Sequence, residues 1–499
     1  MLTQDGRLLI AKNDSVSLDI LPVMANRHGL ITGATGTGKT ISLQVMAESM
    51  SALGVPVFIT DIKGDISGIA KAGVSNPKLE QRVDGMKLAE EGFAFRGCPV
   101  CFWDIFGKDG HPLRATISEM GPVLVSRLLD LNDTQSGALQ IVFRIADDNG
   151  LLLLDFKDLR KMTEFVSMKE NRTQFSQSYG NLAAATLGAI QRGLLSLEEQ
   201  GADAFFGEPG LDIRDLMRLD QDGRGIVNVM ASDRLMQSPR VYAAFLLWLM
   251  SELYEQLPEA GDLAKPKLAL FFDEAHLLFD EAPKVLLEKI EQVSRLIRSK
   301  GVGIYFITQN PADVPEPVLA QLGNRLQHAL RAYTPKEQKA VRAAADSFRP
   351  NPAFKTVDAI SELGVGEALV SFLDGKGIPA MVERSLVLPP ESQIGALTPE
   401  ERQTLIRQSA LLGKYDTASD RESAYEKLTA RITQKMADDA AAVAASAAAR
   451  SKKGDDSFLG DLVTDFAKKT KQSISRNIAN QVGRTLIRGI LGGLFGGKR

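Results

Sequence analysis

A glycine-rich motif, Gly33 to Thr40, constrains this chain more than any other feature of its sequence. It matches the pattern G-x-x-x-x-G-K-[ST] in full, with an apolar run before it and a helix-like stretch after it. The glycines let successive backbone N–H groups point into one concavity, and the following helix adds its positive N-terminal end. The motif therefore predicts a strand-to-helix turn that binds the phosphates of a nucleoside triphosphate.

Two side chains of this loop are expected to have specific roles. Lys39 would reach the β- and γ-phosphates, and the Thr40 hydroxyl would hold Mg²⁺. The predicted nucleotide-binding residues are Gly33, Ala34, Thr35, Gly36, Thr37, Gly38, Lys39, Thr40 and Ile41.

The order of apolar runs predicts an α/β fold with a mostly parallel sheet. A buried-strand pattern at 55–60 follows the loop and its helix, and a strand–helix–strand unit of this kind requires parallel strands. Further strands are predicted at 100–104, 225–230, 267–272 and 303–309, with a hairpin at 367–388. Between these strands lies a stretch of about a hundred residues with helical periodicity, which predicts a large all-α insertion.

These patterns divide the chain into six predicted segments. They are an N-terminal part of the core with the phosphate loop (1–115), the α-helical insertion (116–220), a C-terminal part of the core (221–390), a helical extension (391–436), an alanine-rich linker (437–456) and a basic amphipathic tail (457–499). The tail predicts docking on a partner or on a membrane surface, although a solvated tail or a helix packed on its own protein fits the same pattern.

Polar residues follow two of the predicted strands. Asp273 and Glu274 end the apolar run 267–272, where a carboxylate can hold Mg²⁺ together with Thr40 and a second one can polarise an attacking water. Gln309 ends a later strand, and a polar side chain there lies beside the γ-phosphate in additional-strand ATPases. We therefore expect Asp273 to be a metal ligand and Lys39, Glu274 and Gln309 to act in catalysis.

Composition places fewer constraints on function. The formal net charge of −3 gives no global argument for nucleic acid, so any DNA-binding surface must be local. No basic and apolar leader and no apolar run of membrane-spanning length occur, which predicts a cytoplasmic location. Both cysteines lie in Cys98-Pro99-Val100-Cys101, where the strand pattern would put the two thiols on opposite faces and disfavours a metal or redox site.

Four blocks in order resemble the HerA/FtsK superfamily. They are Gly33 to Thr40, Asp61-Ile62-Lys63-Gly64-Asp65, Phe272-Asp273-Glu274-Ala275-His276 and Ile307-Thr308-Gln309-Asn310-Pro311. The stretch from Phe102 to Pro122 and the run 420–426 are similar to a bacterial group of HerA-like helicases that share the HerA C-terminal domain, and the resemblance covers about residues 1–430.

The resemblance implies a RecA-like P-loop fold, ATP and Mg²⁺ as cofactors, hydrolysis of ATP, a homo-hexameric ring and passage of double-stranded DNA through a central channel. Ring ATPases complete their sites with an arginine from the adjacent subunit. Arg325 is the preferred candidate for this trans-acting role, and Arg331, Arg295 and Arg298 are its rivals.

Two other functions remain open at this stage. Asp273-Glu274-Ala275-His276 spells the box of a DEAH-type RNA helicase, but its distance from the phosphate loop and the Thr-Gln ending of the next strand do not fit that class. The main alternative is a regulatory P-loop ATPase that acts on protein or membrane partners without moving DNA.

Overall fold

A twelve-stranded sheet forms the centre of the fold in a computed structural model that describes residues 1–235, 238–261, 263–279 and 284–451. The strands are β1 (Leu8–Lys12), β2 (Ser17–Ile20), β3 (Gly29–Thr32), β4 (Val57–Asp61), β5 (Val100–Asp104), β6 (His111–Pro112), β7 (Val227–Ala231), β8 (Leu268–Phe272), β9 (Val302–Thr308), β10 (Asn324–Gln327), β11 (Glu367–Ser371) and β12 (Glu383–Val387). Their order across the sheet is β2-β1-β12-β11-β10-β3-β9-β8-β4-β7-β5-β6.

The sheet is mostly parallel, which confirms the predicted fold class. Each neighbouring pair from β10 to β6 is parallel, whereas the pairs from β2 to β10 are antiparallel. Strand β9 lies between β3, which leads into the phosphate loop, and β8, which leads into Asp273. The carboxyl ends of these three strands therefore meet at one edge of the sheet, where ligands bind in open α/β folds.

The central strands are apolar on both faces because helices cover a parallel sheet on both sides. Every residue of β3, β4, β8 and β9 is buried. The Phe271 and Tyr305 rings of β8 and β9 stack with their centroids 4.8 Å apart. These strands form a rigid base for the loops that follow them.

The helices are α1 (Lys39–Ala52), α2 (Pro77–Gly85), α3 (Ile117–Leu128), α4 (Asp133–Asp148), α5 (Phe156–Ser167), α6 (Lys169–Tyr179), α7 (Ala184–Glu199), α8 (Pro239–Gln256), α9 (His276–Phe279), α10 (Lys284–Leu296), α11 (Glu316–Leu319), α12 (Pro335–Asp346), α13 (Thr356–Glu362), α14 (Pro399–Gln408) and α15 (Ala424–Ser451). Five of them, α3 to α7, lie between β6 and β7, in the stretch that the sequence predicts to be helical. The described helices include none with the length and apolar composition needed to cross a membrane.

The chain forms two compact units. The first contains the sheet and comprises residues 1–137, 154–156 and 192–420. The second comprises 138–153, 157–191 and 421–499, of which the structure describes residues up to 451. In this second unit the Asp158 carboxylate accepts hydrogen bonds from the Ser423 hydroxyl (2.5 Å) and the Tyr425 N–H (2.8 Å), which fix the start of α15.

The C-terminal segments differ in part from the expected pattern. The sequence predicts a linker from residue 437, whereas α15 continues to Ser451, because its alanines are the strongest helix formers. The predicted basic tail, 457–499, lies outside the described residues.

Candidate nucleotide site

Three loops at the carboxyl edge of the sheet form the candidate site. The phosphate loop follows β3, Gln309 follows β9, and Asp273 and Glu274 follow β8. The pairing of Thr32 with Thr308 and of Phe272 with Phe306 fixes the relative heights of these three strands. The structure thus brings together the loop, the two carboxylates and the glutamine that the sequence singles out.

The phosphate loop depends on glycine at two positions. Gly33 has φ 151°, and a Cβ atom there would lie 2.5 Å from the His328 Cβ. Gly38 has φ 120° and caps α1, which begins at Lys39. Positive φ at both ends turns the backbone into the concavity that the motif predicts.

Lys39 lies against its own loop. Its Nζ donates hydrogen bonds to the carbonyl oxygens of Gly33 (2.7 Å) and Ala34 (3.2 Å). Burial lowers the pKa of Lys39, while the carboxylates of Glu274 and Asp273 oppose that change. The ammonium group therefore interacts electrostatically with both carboxylates, and its hydrogen bonds hold it at the loop that is expected to bind phosphate.

Asp273 is buried at the end of β8. Its N–H donates to the Thr60 Oγ1 at 3.1 Å, and the Tyr242 hydroxyl donates to the same oxygen at 3.1 Å. Burial, and then repulsion from Glu274, raises the pKa of Asp273 to about 6. A nearby cation would reverse this destabilisation of the ionised form.

Glu274 is held by several contacts in a strained conformation. Its φ is 46°, in the left-handed region that a residue with a side chain rarely adopts. Lys63 Nζ lies 2.6 Å from one carboxylate oxygen, Oε1. His276 Nδ1 lies 3.3 Å and Gln309 Nε2 3.5 Å from the other, Oε2. Burial opposes ionisation, but Lys63 and His276 outweigh it and keep the pKa of Glu274 below its usual value.

The oxygen donors at this edge suit a magnesium ion. The Thr40 side chain is half-buried and forms no hydrogen bond to another described residue, and Asp273 faces the same edge from β8. The described residues contain no group of three or more His, Cys, Asp or Glu side chains that could hold a metal by themselves. Magnesium fits such a site because it typically takes one or two protein oxygens and completes its shell with phosphate and water.

A second pair of carboxylates lies close to Asp273. Asp61 ends β4 and Asp65 follows it, and both have a buried carboxylate oxygen without a hydrogen-bond partner among the described residues (Oδ2 and Oδ1). Burial, and then repulsion from Asp65, raises the pKa of Asp61 to about 7. These two oxygens are available to water or to a hydrated cation at the edge of the site.

Sequence reasoning missed the residues that support the phosphate loop from the β10 side. His328 donates its N–H to the Thr32 carbonyl at 2.7 Å, and Ala329 accepts a hydrogen bond from the Ala34 N–H at 2.8 Å. The His328 imidazole joins the Ser42 hydroxyl (2.7 Å) to the Glu367 carbonyl (2.8 Å). Burial lowers the pKa of His328 to about 4, so the ring is neutral. The one feature of the sequence that could have pointed to this support is His328 itself, one of four histidines in the chain, directly after β10.

Arg325 lies away from the phosphate loop, near the amino end of β10. Its guanidinium group donates to the carbonyl oxygens of Leu322 (3.0 Å), Ser347 (3.1 Å) and Leu319 (3.0 Å) of its own chain. A role in a neighbouring subunit stays a prediction, and it would require these three bonds to break. Its rival Arg331 is exposed and donates to the Ser361 carbonyl.

The two cysteines are free thiols. Cys101 is buried in β5, and burial raises its pKa to about 12. Burial also raises the pKa of Cys98. Neither thiol is therefore activated as a nucleophile or ligand, since both functions need the thiolate.

The phosphate loop, the parallel sheet and the carboxylates after β8 define a P-loop NTPase, an α/β protein built to bind a nucleoside triphosphate at this edge. The chain belongs to the family described as Helicase HerA-like C-terminal, which matches residues 7–499. This confirms the resemblance to HerA that the four sequence blocks indicate.

Individual relatives are more distant. The chain is 21% identical to the DNA double-strand break repair helicase HerA of Sulfolobus acidocaldarius, over 72% of this chain and 65% of that protein. It is 23% identical to the protein of the same name from Saccharolobus solfataricus, over 74% and 66%. The chain thus spans just under two thirds of these relatives. Among solved structures, the bacterial conjugative coupling protein TrwB is similar with a TM-score of 0.47 and 15% identity, over 75% of this chain and 90% of that chain.

Proposed function

We propose that this chain is a Mg²⁺-dependent ATPase of the HerA/FtsK type. It works as a homo-hexameric ring that couples ATP hydrolysis to the movement of double-stranded DNA. The observation that carries the ATPase assignment is the meeting of Lys39, Asp273 and Glu274 at one edge of the sheet, with Glu274 contacted by both Lys63 and Gln309. Family membership supports the link to DNA, since the relatives named above are DNA repair helicases.

The chain's own residues provide most of the catalytic requirements. The backbone N–H groups of the loop and the start of α1 bind the β-phosphate, and Lys39 neutralises charge on the transferring phosphoryl group. Glu274, ionised because of Lys63, accepts a proton from the attacking water, and Gln309 orients that water beside the γ-phosphate.

Thr40 and Asp273 would hold the magnesium ion, which supplies positive charge to the phosphate oxygens when bound. Burial, and then repulsion from Glu274, raises the pKa of Asp273 although Lys63 opposes the change, and a carboxylate in such a position fits a metal ligand. The Thr60 hydroxyl, itself held by Tyr242, accepts a hydrogen bond from the Asp273 N–H. These contacts position the Asp273 backbone and therefore its carboxylate.

The assembly of a ring rests on the family and on chemistry. Hydrolysis at a P-loop site is completed by a cationic group that neutralises the transition state, often an arginine of a neighbouring subunit. Arg325 stays our candidate for this role, with Arg331 as its rival.

Stimulation of ATP turnover by duplex DNA tests this function. Turnover measured with and without a DNA duplex, over a series of salt concentrations, should rise with DNA and lose the stimulation steeply as salt increases. Basal turnover that no duplex changes, together with no duplex binding at low salt, would reject the translocase and favour the regulatory ATPase acting on protein or membrane partners.

A further inference from the structure

A cavity of about 1030 Å³ with a mixed polar and apolar lining lies at the opposite edge of the sheet from the nucleotide site. Its lining comes from the segments that precede β3, β8 and β9 and from the turn between β11 and β12. The phosphate loop, Asp273 and Gln309 follow the carboxyl ends of β3, β8 and β9. The length of these strands therefore separates the cavity from the nucleotide site.

The described lining of this cavity is strongly basic. It includes Arg27, Arg295, Arg298 and Lys376, but one carboxylate, Glu259. The Glu259 carboxylate is already engaged, since Lys300 Nζ lies 3.1 Å from it. Asp262, which neighbours two lining residues in sequence, lies outside the described residues. The chain as a whole has a net charge of −3, whereas this cluster is locally positive.

Several polar groups in the cavity have no partner among the described residues. The side chains of Arg27 and Arg295 form no hydrogen bond or ion pair with any other described residue. Asn26 is only 9% exposed, and its Oδ1 has no partner among the described residues. A flip of the Asn26 amide would place its NH₂ group where Oδ1 lies. The two N–H groups could then donate hydrogen bonds to an anion. Unpaired polar groups in a buried position are costly unless a ligand or water satisfies them.

The positive field of this cluster extends into the protein. Burial lowers the pKa of His28, next to Arg27 in sequence, to about 4, and the charges of Arg298 and Arg27 contribute to the same change. These arginine charges are therefore only partly screened, which strengthens their attraction for an anion in the cavity.

The arginine groups around this cavity favour phosphate as the ligand. The planar guanidinium group matches two oxygens of a phosphate and stays charged at all physiological pH values. Phosphodiester groups of DNA present such oxygens at regular spacing, and a local basic patch on an otherwise acidic protein is typical of a nucleic-acid contact.

We propose that this cavity binds backbone phosphates of double-stranded DNA through Arg27, Arg295 and Lys376, at a distance from the site of ATP binding. This inference rests on the proposed function, because it names where the chain contacts the DNA. The contact is independent of base sequence, since phosphates carry no sequence information.

A charge-reversal variant tests this contact. Arg295 and Lys376 are both exposed, so Arg295→Glu with Lys376→Glu should leave the fold unchanged, which thermal unfolding checks. Titration of a labelled duplex should show affinity lowered roughly tenfold or more, and the slope of log affinity against log salt reduced by about 1 to 2. Arg27→Gln should act in the same direction, whereas Arg298 is not used because it has a partner within the chain.

The matched control is Lys336→Glu with Arg342→Glu on α12, which makes the same change in net charge at two exposed positions. Equal loss of affinity in test and control variants would overturn the site, because the effect would be one of total charge. Wild-type affinity in the test variant, with duplex still bound and still stimulating turnover, would overturn the site but keep the proposed function. Binding of inorganic phosphate that depends on Arg295, with duplex affinity unchanged, would assign the cavity to a small anion and also overturn the DNA contact.

Discussion

Lys63 Nζ lies 2.6 Å from Glu274 Oε1, so a lysine that follows β4 neutralises the carboxylate expected to activate water after β8. The lysine is 43% exposed and the carboxylate only 6%. Glu274 therefore keeps its charge in a buried position because of a partner that can still reach solvent. The pair links two of the four sequence blocks at the candidate site.

Lys63→Met should shift the pH dependence of ATP turnover. Lys63 holds the pKa of Glu274 below its usual value against the opposing effect of burial. Without Lys63, burial remains and the pKa rises, so the acidic limb of kcat should move to higher pH. The measurement is kcat as a function of pH at saturating ATP. Lys63→Arg keeps the charge and should move the limb much less; identical profiles for wild type and Lys63→Met would contradict the role of the pair.

Glu274→Gln should bind nucleotide but hydrolyse it at least about a hundredfold more slowly, since general-base contributions are typically 10²–10⁴-fold. The amide retains the size of the side chain and a hydrogen-bond acceptor but cannot take up a proton. Nucleotide affinity and single-turnover hydrolysis measured on one preparation separate binding from chemistry. Turnover at the wild-type rate would remove Glu274 from the mechanism.

Gly33→Ala should weaken nucleotide binding and destabilise the fold by about 1–3 kcal/mol. The added Cβ would lie 2.5 Å from the His328 Cβ at φ 151°, so either the loop or β10 must shift. Thermal unfolding and nucleotide titration report the two effects. Gly85→Ala in α2, where an added Cβ would have no atom within 4 Å, is the control and should weaken neither quantity.

His28→Asn should make the stability of the protein less sensitive to acid. The His28 Nε2–H donates to the Ser294 carbonyl and Nδ1 accepts from the Ile304 N–H, so a proton on Nδ1 would face another donor. The pKa of His28 is about 4 in the folded state against 6.5 in an unfolded chain, so the unfolded state binds more protons between these values. Stability is therefore lost as pH falls from 6.5 towards 4.

The expected loss of stability between two pH values can be measured directly. Between pH 7 and pH 5 the wild type should lose about 2 kcal/mol of unfolding free energy through His28, by linkage. Asparagine tolerates the left-handed φ of 57° at this position, so the variant should fold. Denaturant unfolding at both pH values compares the two proteins, and an equal loss in both would show that His28 does not titrate as described.

Mixing two inactive variants tests the trans-acting arginine. Arg325→Ala subunits mixed with Lys39→Ala subunits should regain some ATP turnover, because a wild-type loop can then meet a wild-type arginine. Arg325→Ala should also lower stability, since three carbonyl groups lose a charged donor. Arg331→Ala is the parallel variant. Rescue by Arg331→Ala but not by Arg325→Ala, with all variants assembling, would transfer the role to Arg331.

The sequence predicted the parts of this fold that local pattern determines. The strand before the loop, the run 268–272 and the run 302–308 are short, mostly apolar segments, and all three are strands of the parallel sheet. The order of these strands could not be predicted in the same way, because pairing depends on contacts between segments more than two hundred residues apart. The pairing of β9 with β3 is one such case.

The supporting residues of the site depend on the same long-range pairing. His328 contacts the phosphate loop only because β10 lies beside β3, and Lys63 meets Glu274 only because β4 lies beside β8. The position of Lys39, Asp273 and Glu274 at the carboxyl edge of the sheet could be predicted because each lies in a local motif at the end of a strand or the start of a helix. No pattern around Arg325 indicates that its side chain donates to three carbonyl groups of its own chain.

The most direct test of the central claim is steady-state ATP hydrolysis by the wild type and by Lys39→Ala, each with Mg²⁺ and with the metal removed by chelation. We predict turnover by the wild type only when Mg²⁺ is present, and loss of that turnover in Lys39→Ala under all conditions. Equal hydrolysis by both proteins, or wild-type hydrolysis that persists without divalent metal, would contradict the assignment of the Gly33 to Thr40 loop as a Mg²⁺-dependent ATP site.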